Sequence, residues 1–88
     1  MNVRFKKTFF KDRERLPLDV QAKVDELVFE ILPKLHRLMD LPSVKALKGH
    51  KDYYRVRIGS HRVGIENRGV DIVVHRVLDR REIYRYFP

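Results

Sequence analysis

The sequence contains no cysteine and no tryptophan, and it has only 4 glycines and 4 prolines in 88 residues. The absence of cysteine excludes a disulfide framework, a thiolate zinc site and a cysteine nucleophile. No stretch approaches the roughly 18 consecutive apolar residues of a membrane-spanning helix, and residues 1–7 carry charge where a signal peptide needs an apolar run. We therefore expect a soluble, cytoplasmic protein with no membrane partner, in which any catalysis uses histidine, carboxylate, tyrosine, serine or basic side chains.

Acidic residues are scarce relative to basic ones. There are 12 Asp and Glu against 20 Lys and Arg, which gives a net charge of +8. The length suits one domain, over residues 1–88, and the hydrophobic content of 43% argues against disorder. A folded and strongly basic domain indicates an acidic partner, whether a nucleic acid, an anionic surface or an acidic protein.

The kind of basic residue changes along the chain. All eight lysines lie between Lys6 and Lys51, and every later Lys or Arg position is an arginine. The planar guanidinium group matches phosphate and carboxylate geometry, whereas the lysine ammonium group is a hydrated point charge. We therefore expect the functional site in the C-terminal half.

The first half of the chain predicts a strand and then two helices. Val3–Lys6 is a strand candidate, Thr8 is placed to cap a first helix, and Pro17 stops that helix or starts the next. Between Val20 and Met39, apolar residues recur at the spacing of an amphipathic helix. Pro33 lies inside this stripe and predicts a kink or a break there.

The second half predicts an antiparallel meander. Turn signals at Gly59-Ser60 and Asn67-Arg68-Gly69 divide it into three strands that alternate between apolar and polar residues. The fold class predicted for the whole chain is α+β. An N-terminal strand and a two-helix hairpin precede a three-stranded meander, and one sheet packs on the helices.

The predicted register of the first hairpin collects arginines on one face of the sheet. A two-residue turn at Gly59-Ser60 places Arg57 opposite Arg62 and Arg55 opposite Gly64, and the apolar alternation selects this register. Like charges opposite each other repel unless an anion lies between them. The glycine leaves room for a ligand to approach, so the pattern favours an anion site over a solvated outer sheet face that binds nothing.

The same parity can be extended through the second turn. It places Ile65 opposite Ile72 and His75 opposite Arg62, so that His75 is predicted on the same face as the arginines.

Several motifs occur in order along this half of the chain. They are Leu-Lys-Gly at 47–49, Tyr-Arg-x-Arg at 54–57, Gly-x-x-Arg at 59–62 and Arg-x-x-x-Tyr at 80–84. Together with the N-terminal strand, the helical pair and the length, they resemble the RelE/ParE superfamily of type II toxin–antitoxin systems.

This resemblance implies a small α+β toxin with the RelE-like microbial ribonuclease-type fold, neutralised by an acidic antitoxin. RelE-like members cleave messenger RNA on the ribosome by attack of a ribose 2′-hydroxyl on the adjacent phosphate, without a metal or another cofactor. The residues that match the family's basic and aromatic site by position are Arg55, Arg57, Arg62, Arg80 and Tyr84.

The chain departs from the family pattern in its acid–base residues. Well-studied members have lysine where this chain has Arg55 and Arg57, and many have histidine where it has Asp79. Arginine stays protonated and is a poor general base. His75 and Asp79 remain as acid–base candidates, although Asp79 has the alternative role of holding Arg80 or Arg81 in place. The 4 histidines lack metal-ligand spacing, so no metal site is predicted.

Three functions follow from this sequence. The first is a ribosome-dependent endoribonuclease toxin, with the ribosome, messenger RNA and an acidic antitoxin as partners. The second is a ParE-like toxin that inhibits DNA gyrase by protein binding, and the third is a non-toxic basic nucleic-acid-binding domain. We favour the first because the matched arginines and Tyr84 occur together.

Overall fold

The computed structural model describes all residues from Met1 to Pro88. The elements are β1 (Asn2–Phe5), α1 (Lys7–Glu14), α2 (Leu18–Asp25), β2 (Val44–Ala46), β3 (Tyr53–Ile58), β4 (His61–Arg68), β5 (Asp71–Asp79) and α3 (Ile83–Tyr86). Helix α2 continues into a π-helical turn over Glu26–Ile31 and a 3₁₀ turn over Leu32–Lys34, and a second 3₁₀ turn covers Leu38–Asp40. None of the helices has the length and apolarity needed to cross a membrane.

The five strands form one sheet in the order β1-β5-β4-β3-β2. Strand β1 runs parallel to β5, and the other neighbours are antiparallel. The helical region between β1 and the meander supplies the long connection that parallel neighbours need. The α+β class and the meander are therefore confirmed, while β2 and α3 are additions that the sequence pattern did not predict, because three and four residues are too short to show a period.

The start of helix α1 differs from the prediction. The helix begins at Lys7, and no side chain caps it. The hydroxyl of Thr8 instead donates a hydrogen bond of 3.0 Å to the carbonyl oxygen of His75. Thr8 therefore ties α1 to β5, and its predicted role as a cap is wrong.

The apolar stripe of the second helix faces the sheet as predicted. Val24, Leu27 and Val28 are buried, and Pro17 stands immediately before α2 as its N-terminal boundary. The helical path ends within the 3₁₀ turn that contains Pro33, because proline has no N–H to continue the ladder. The predicted break is confirmed.

The hydrophobic core lies between the helices and one face of the sheet. The buried strand residues that form its sheet side are Val56, Val63, Ile65, Ile72, Val74 and Val77. Side chains alternate across a strand. Arg55 and Arg57, which flank Val56 on β3, consequently point to the opposite face.

The first hairpin has the predicted register, with Arg57 opposite Arg62 and Arg55 opposite Gly64. The second does not, because its turn lies one residue later and pairs Arg68 with Asp71. A bulge follows, since Gly64 pairs with Arg76 while its neighbour Ile65 pairs with Val74, and His75 is the extra residue.

The predicted pairs of the second hairpin are therefore wrong. Ile65 lies opposite Val74 instead of Ile72, and Arg62 lies opposite Leu78 instead of His75. Registers that differ by two residues bury the same face of a strand, so apolar alternation did not distinguish between them.

Candidate functional site

Four arginines and one tyrosine meet on the sheet face that points away from the core. Arg55 and Arg57 alternate with buried Val56 on β3, and Arg62 lies opposite Arg57 on β4. We call the set of Arg55, Arg57, Arg62, Arg80 and Tyr84 the arginine face.

Arg62 is fixed at the hairpin turn between β3 and β4. Its Nη1 donates hydrogen bonds of 2.9 Å to the carbonyl oxygens of Gly59 and His61. Gly59 has a positive φ of 54°, which glycine adopts without strain. The turn therefore holds the Arg62 guanidinium in one orientation beside Arg57.

Arg80 is brought to the same turn from the other end of the meander. It follows the last residue of β5, and its backbone N–H donates a hydrogen bond of 2.9 Å to the carbonyl oxygen of Ser60. Its side chain is exposed. The backbone contact explains how a residue beyond the last strand reaches the arginines of the first hairpin.

Electrostatics shows that these charges act on one another. Burial lowers the pKa of Arg62, and the positive charges of Arg55, Arg57 and Arg80 lower it further. Arg62 remains a cation at neutral pH because guanidinium groups do not lose their proton in proteins.

The four arginines of this face form no salt bridge. Seven of the other arginines do, namely Arg4, Arg13, Arg37, Arg68, Arg76, Arg81 and Arg85. Concentrated positive charge without a carboxylate partner attracts an anion. This arrangement supports the anion site predicted from the hairpin register.

Helix α3 adds an aromatic hydroxyl to this face. The Nε of Arg55 donates a hydrogen bond of 3.1 Å to the hydroxyl oxygen of Tyr84, whose side chain stays 59% exposed. A tyrosine that accepts a hydrogen bond still has its own hydroxyl proton to donate. The hydroxyl group is thus oriented by Arg55 and remains open to a ligand.

A cleft of about 390 Å³ opens beside Tyr84. Leu47, Lys48 and His50 line one part of it, and the C-terminal residues Phe87 and Pro88 line another. Our sequence reasoning assigned no role to Lys48 or His50, although the Leu-Lys-Gly motif at 47–49 points to this loop. A larger cavity of about 490 Å³ lies around Met1 and Pro33 and contains no residue of the arginine face.

His75 lies on the same sheet face as the arginines, as predicted, but beside Glu66 instead of opposite Arg62. Its Nε2 is 2.8 Å from Oε1 of Glu66, and its ring packs against Tyr53 and Phe87 with centroid distances of 5.9 and 5.4 Å. The hydrogen bond from Arg68 lowers the pKa of Glu66, and the hydrogen bond from His75 lowers it to a smaller extent. Glu66 is therefore ionised at neutral pH and fixes the His75 ring.

Asp79 holds a neighbouring arginine. Its carboxylate accepts hydrogen bonds from the backbone N–H of Arg81 at 2.9 Å and from the Nε of Arg81 at 3.2 Å. These bonds lower the pKa of Asp79. The sequence offers Arg80 and Arg81 as the arginines for Asp79 to hold. Asp79 holds Arg81, and Arg80 has no carboxylate partner.

The gap above Gly64 is occupied by the protein itself. Phe87, with only 3% of its surface exposed, packs directly on Gly64. The expectation that this glycine leaves room for a ligand is therefore wrong. The structure contains no group of three or more His, Cys, Asp or Glu side chains that could hold a metal ion.

The sequence matches a family model described as "ParE toxin of type II toxin-antitoxin system, parDE" over residues 3–84. It is 42% identical to Toxin RelE3 of Methanocaldococcus jannaschii over 89 aligned residues, which cover 100% of both chains.

Solved structures show the same architecture. The toxin of the RelB–RelE antitoxin–toxin complex from Methanococcus jannaschii superposes with a TM-score of 0.79 at 36% identity, covering 97% of this chain and 99% of that chain. The toxin–antitoxin complex RelBE2 of Mycobacterium tuberculosis gives 0.69 at 26% identity, covering 90% and 96%. The isolated E. coli RelE toxin, at 19% identity and a TM-score of 0.66 over 96% and 90%, shares the fold. With a family model that spans nearly the whole chain and a full-length relative among the RelE toxins, the chain belongs to the RelE/ParE superfamily of type II toxin–antitoxin toxins.

Proposed function

We propose that this toxin is a ribosome-dependent endonuclease that cleaves messenger RNA and so inhibits translation. The observation that carries this proposal is the arginine face, where four arginines without salt-bridge partners lie close to one another and to Tyr84. The 42% identity to a RelE toxin supports the same branch of the superfamily.

The chemistry proposed at this face is transfer of a phosphoryl group within the RNA. The ribose 2′-oxygen forms a bond to the adjacent phosphorus while the bond to the 5′-oxygen breaks, which leaves a 2′,3′-cyclic phosphate and a 5′-hydroxyl. The 2′-hydroxyl proton is released and the leaving oxygen gains one. The intermediate phosphorane carries additional negative charge, and guanidinium groups fixed before the reaction stabilise such charge.

Each residue of the face has a part in this scheme. Arg62, held at the turn by two carbonyl oxygens, and Arg57 opposite it provide positive charge at the phosphate. Arg80 adds a third guanidinium, and Arg55 orients the Tyr84 hydroxyl, which is left with its own proton to donate to an oxygen of the RNA. We assign no proton transfer to His75, because its Nε2 is engaged by Glu66.

We also propose that an acidic antitoxin neutralises the toxin. The structures from Methanococcus jannaschii and Mycobacterium tuberculosis are complexes of related toxins with antitoxins. The net charge of +8 of this chain suits a partner with the opposite charge.

The direct test uses ribosomes programmed with a defined messenger RNA, with cleavage sites mapped by primer extension. We expect cleavage within the open reading frame when ribosomes are present and none with the same RNA alone. The matched control is Arg15→Ala, which removes an exposed arginine outside the arginine face and should cleave normally. Absence of cleavage by the wild-type protein would refute the proposal.

The matched family model is named for ParE toxins, which keeps gyrase inhibition as a second candidate. Pulse labelling after induction without antitoxin distinguishes the two. We expect amino acid incorporation to fall before thymidine incorporation. An early loss of thymidine incorporation with translation intact would favour gyrase inhibition.

A further inference from the structure

The C-terminal residues are docked on the sheet by a close steric fit. A Cβ atom built on Gly64 would lie 2.6 Å from Cδ2 and 2.7 Å from Cγ of Phe87, closer than real Cβ contacts. The Phe87 ring also packs edge-on against Tyr53 at 5.6 Å and lies 5.4 Å from His75. Phe87 thus occupies a seat that only glycine at position 64 allows.

This seat is connected to the arginine face through α3. The helix has four residues, which is too short to be stable in isolation. It is held by Ile83, which is fully buried, and by Phe87, whose backbone N–H donates a hydrogen bond of 2.8 Å to the carbonyl oxygen of Ile83. Tyr84 lies between these two anchors and is 59% exposed, so its own burial contributes little to its position.

We propose that Phe87 is a positioning residue of the toxin: its ring, seated on Gly64, holds the Tyr84 hydroxyl on Arg55. This inference rests on the proposed function for its effect on cleavage. The hydrogen bond of 3.1 Å between Arg55 and Tyr84 requires α3 to stay where Phe87 places it. A misplacement of about 1 Å in a reactive group costs on the order of a hundredfold in rate.

His75 and Glu66 help to hold Phe87 in this position. Glu66 fixes the ring of His75 at 2.8 Å, and that ring forms one wall of the Phe87 seat. The sequence left His75 as one of two acid–base candidates, whereas its contacts give it a supporting position behind Phe87.

The experiment compares Phe87→Ala, Gly64→Ala and the double variant Gly64→Ala/Phe87→Ala. Gly64→Ala keeps the phenylalanine but displaces it from its seat. In the double variant the new methyl group has space, because the ring that it would meet is gone. The matched control is Tyr86→Ala, which removes an exposed α3 side chain that packs over Arg76 and lies outside the arginine face.

Three quantities are measured on each variant: the melting temperature, the single-turnover rate of mRNA cleavage at saturating ribosomes, and the nuclear Overhauser effect between the Tyr84 ring and the Arg55 side chain. We expect both single variants to lose the Overhauser effect and to cleave at least about tenfold more slowly. Tyr86→Ala should keep both. The double variant should melt higher than Gly64→Ala but regain neither the Overhauser effect nor the cleavage rate.

If Phe87 had only a structural role, the double variant would regain cleavage together with its melting temperature. That result would overturn the inference. Retention of the Overhauser effect and the rate in Phe87→Ala would overturn it as well. If Phe87→Ala does not fold, Phe87→Leu replaces it. The leucine fills the seat only in part, so an Overhauser effect and a rate between those of wild type and Gly64→Ala support the inference, and values no better than those of Gly64→Ala contradict it.

A second comparison isolates the route through Tyr84. In a Tyr84→Ala background, Phe87→Ala should cause no further loss of cleavage, and an additional loss would show that Phe87 acts elsewhere. If the wild-type toxin does not cleave mRNA, the proposed function fails, whereas the Overhauser effect still reports whether Phe87 positions Tyr84.

Discussion

Arg62 contributes to the hairpin turn and also experiences repulsion from its neighbours. Its Nη1 donates to two carbonyl oxygens, each at 2.9 Å. The charges of Arg55 and Arg57 oppose its own charge and lower its pKa, after the larger effect of burial. The two contributions to stability have opposite signs, so we expect the net role of Arg62 in folding to be small.

We therefore expect Arg62→Ala to leave the protein folded while it abolishes most of the activity. Two hydrogen bonds are lost, and relief of like-charge repulsion compensates for them, so the free energy of unfolding should change by less than about 1 kcal/mol. Cleavage should fall by about a hundredfold, the effect of losing one fixed donor at a developing charge. Melting temperature and ribosome-programmed cleavage are measured on the same sample.

Arg15→Ala is the control for this pair of measurements, since it removes the same charge from an exposed site at the end of α1. Unfolding of Arg62→Ala would show that the arginine is structural. Normal cleavage by a folded Arg62→Ala would show that the arginine face is not the active site.

At the scale of elements, a buried carboxylate joins α1 to the sheet. Asp12 is 4% exposed and accepts hydrogen bonds from the Nε and Nη2 of Arg76 at 2.7 and 2.9 Å and from the backbone N–H of Val77 at 3.2 Å. Every polar atom of this buried group has a partner. Breaking such a pair is costly because it leaves the other charge without compensation.

Asp12→Ala should accordingly lower the free energy of unfolding by about 3 kcal/mol. Urea denaturation at neutral pH measures the loss. Asp19→Ala removes an exposed carboxylate from the first turn of α2 and should cost much less. Equal effects of the two substitutions would mean that the Asp12 contact does not hold α1 on β5.

A second ion pair links α1 to α2 and gives the protein acid sensitivity. Both guanidinium nitrogens of Arg13 that face Asp25 lie 2.6 Å from its carboxylate oxygens. The hydrogen bond from Arg13 lowers the pKa of Asp25, against an opposing effect of burial. Because the pKa is lower in the folded state, the stabilisation is complete above the unfolded value of about 4 and is lost as pH falls through the folded value.

Asp25→Asn should therefore reduce stability at pH 7 by no more than about 1 kcal/mol, since the pair is about one-third exposed. At a pH below both pKa values of Asp25, the variant and the wild type should converge. Urea denaturation across this pH range gives the comparison, with Asp19→Asn as the control that leaves the curve unchanged. A stability difference that is constant with pH would contradict the ion-pair explanation.

At the scale of the whole molecule, positive charge is the dominant property. The net charge is +8, and the arginine face concentrates part of it in four arginines that have no salt-bridge partner. Attraction between such a surface and an acidic antitoxin is screened by salt, with a Debye length of about 10 Å at 0.1 M and about 3 Å at 1 M.

The affinity of the toxin for the proposed acidic antitoxin should thus fall as salt concentration rises, which calorimetry at several ionic strengths measures. Arg57→Ala should reduce the salt dependence, and Arg15→Ala should not. An affinity that is flat from low to high salt would indicate a mainly apolar contact and would place the antitoxin away from the arginine face.

Local patterns in the sequence determined the fold class, the break at Pro33 and the first hairpin. Each depends on residues that are close along the chain: the alternation of Val56 with Arg55 and Arg57 sets the buried face, and a two-residue turn at Gly59-Ser60 sets the pairing. The motifs of the second half indicated in addition which arginines belong together. Residue type, period and turn chemistry are sufficient for such features because they require no knowledge of distant contacts.

Only the tertiary structure decided the second register, the short strand β2, the position of His75 and the seat of Phe87. A shift of two residues leaves the same side chains buried, so parity did not reveal the bulge beside Gly64. Strand β2 has three residues and forms because β3 offers its edge. Phe87 meets Gly64 because the chain turns back after β5, a contact between distant positions that no local pattern contains.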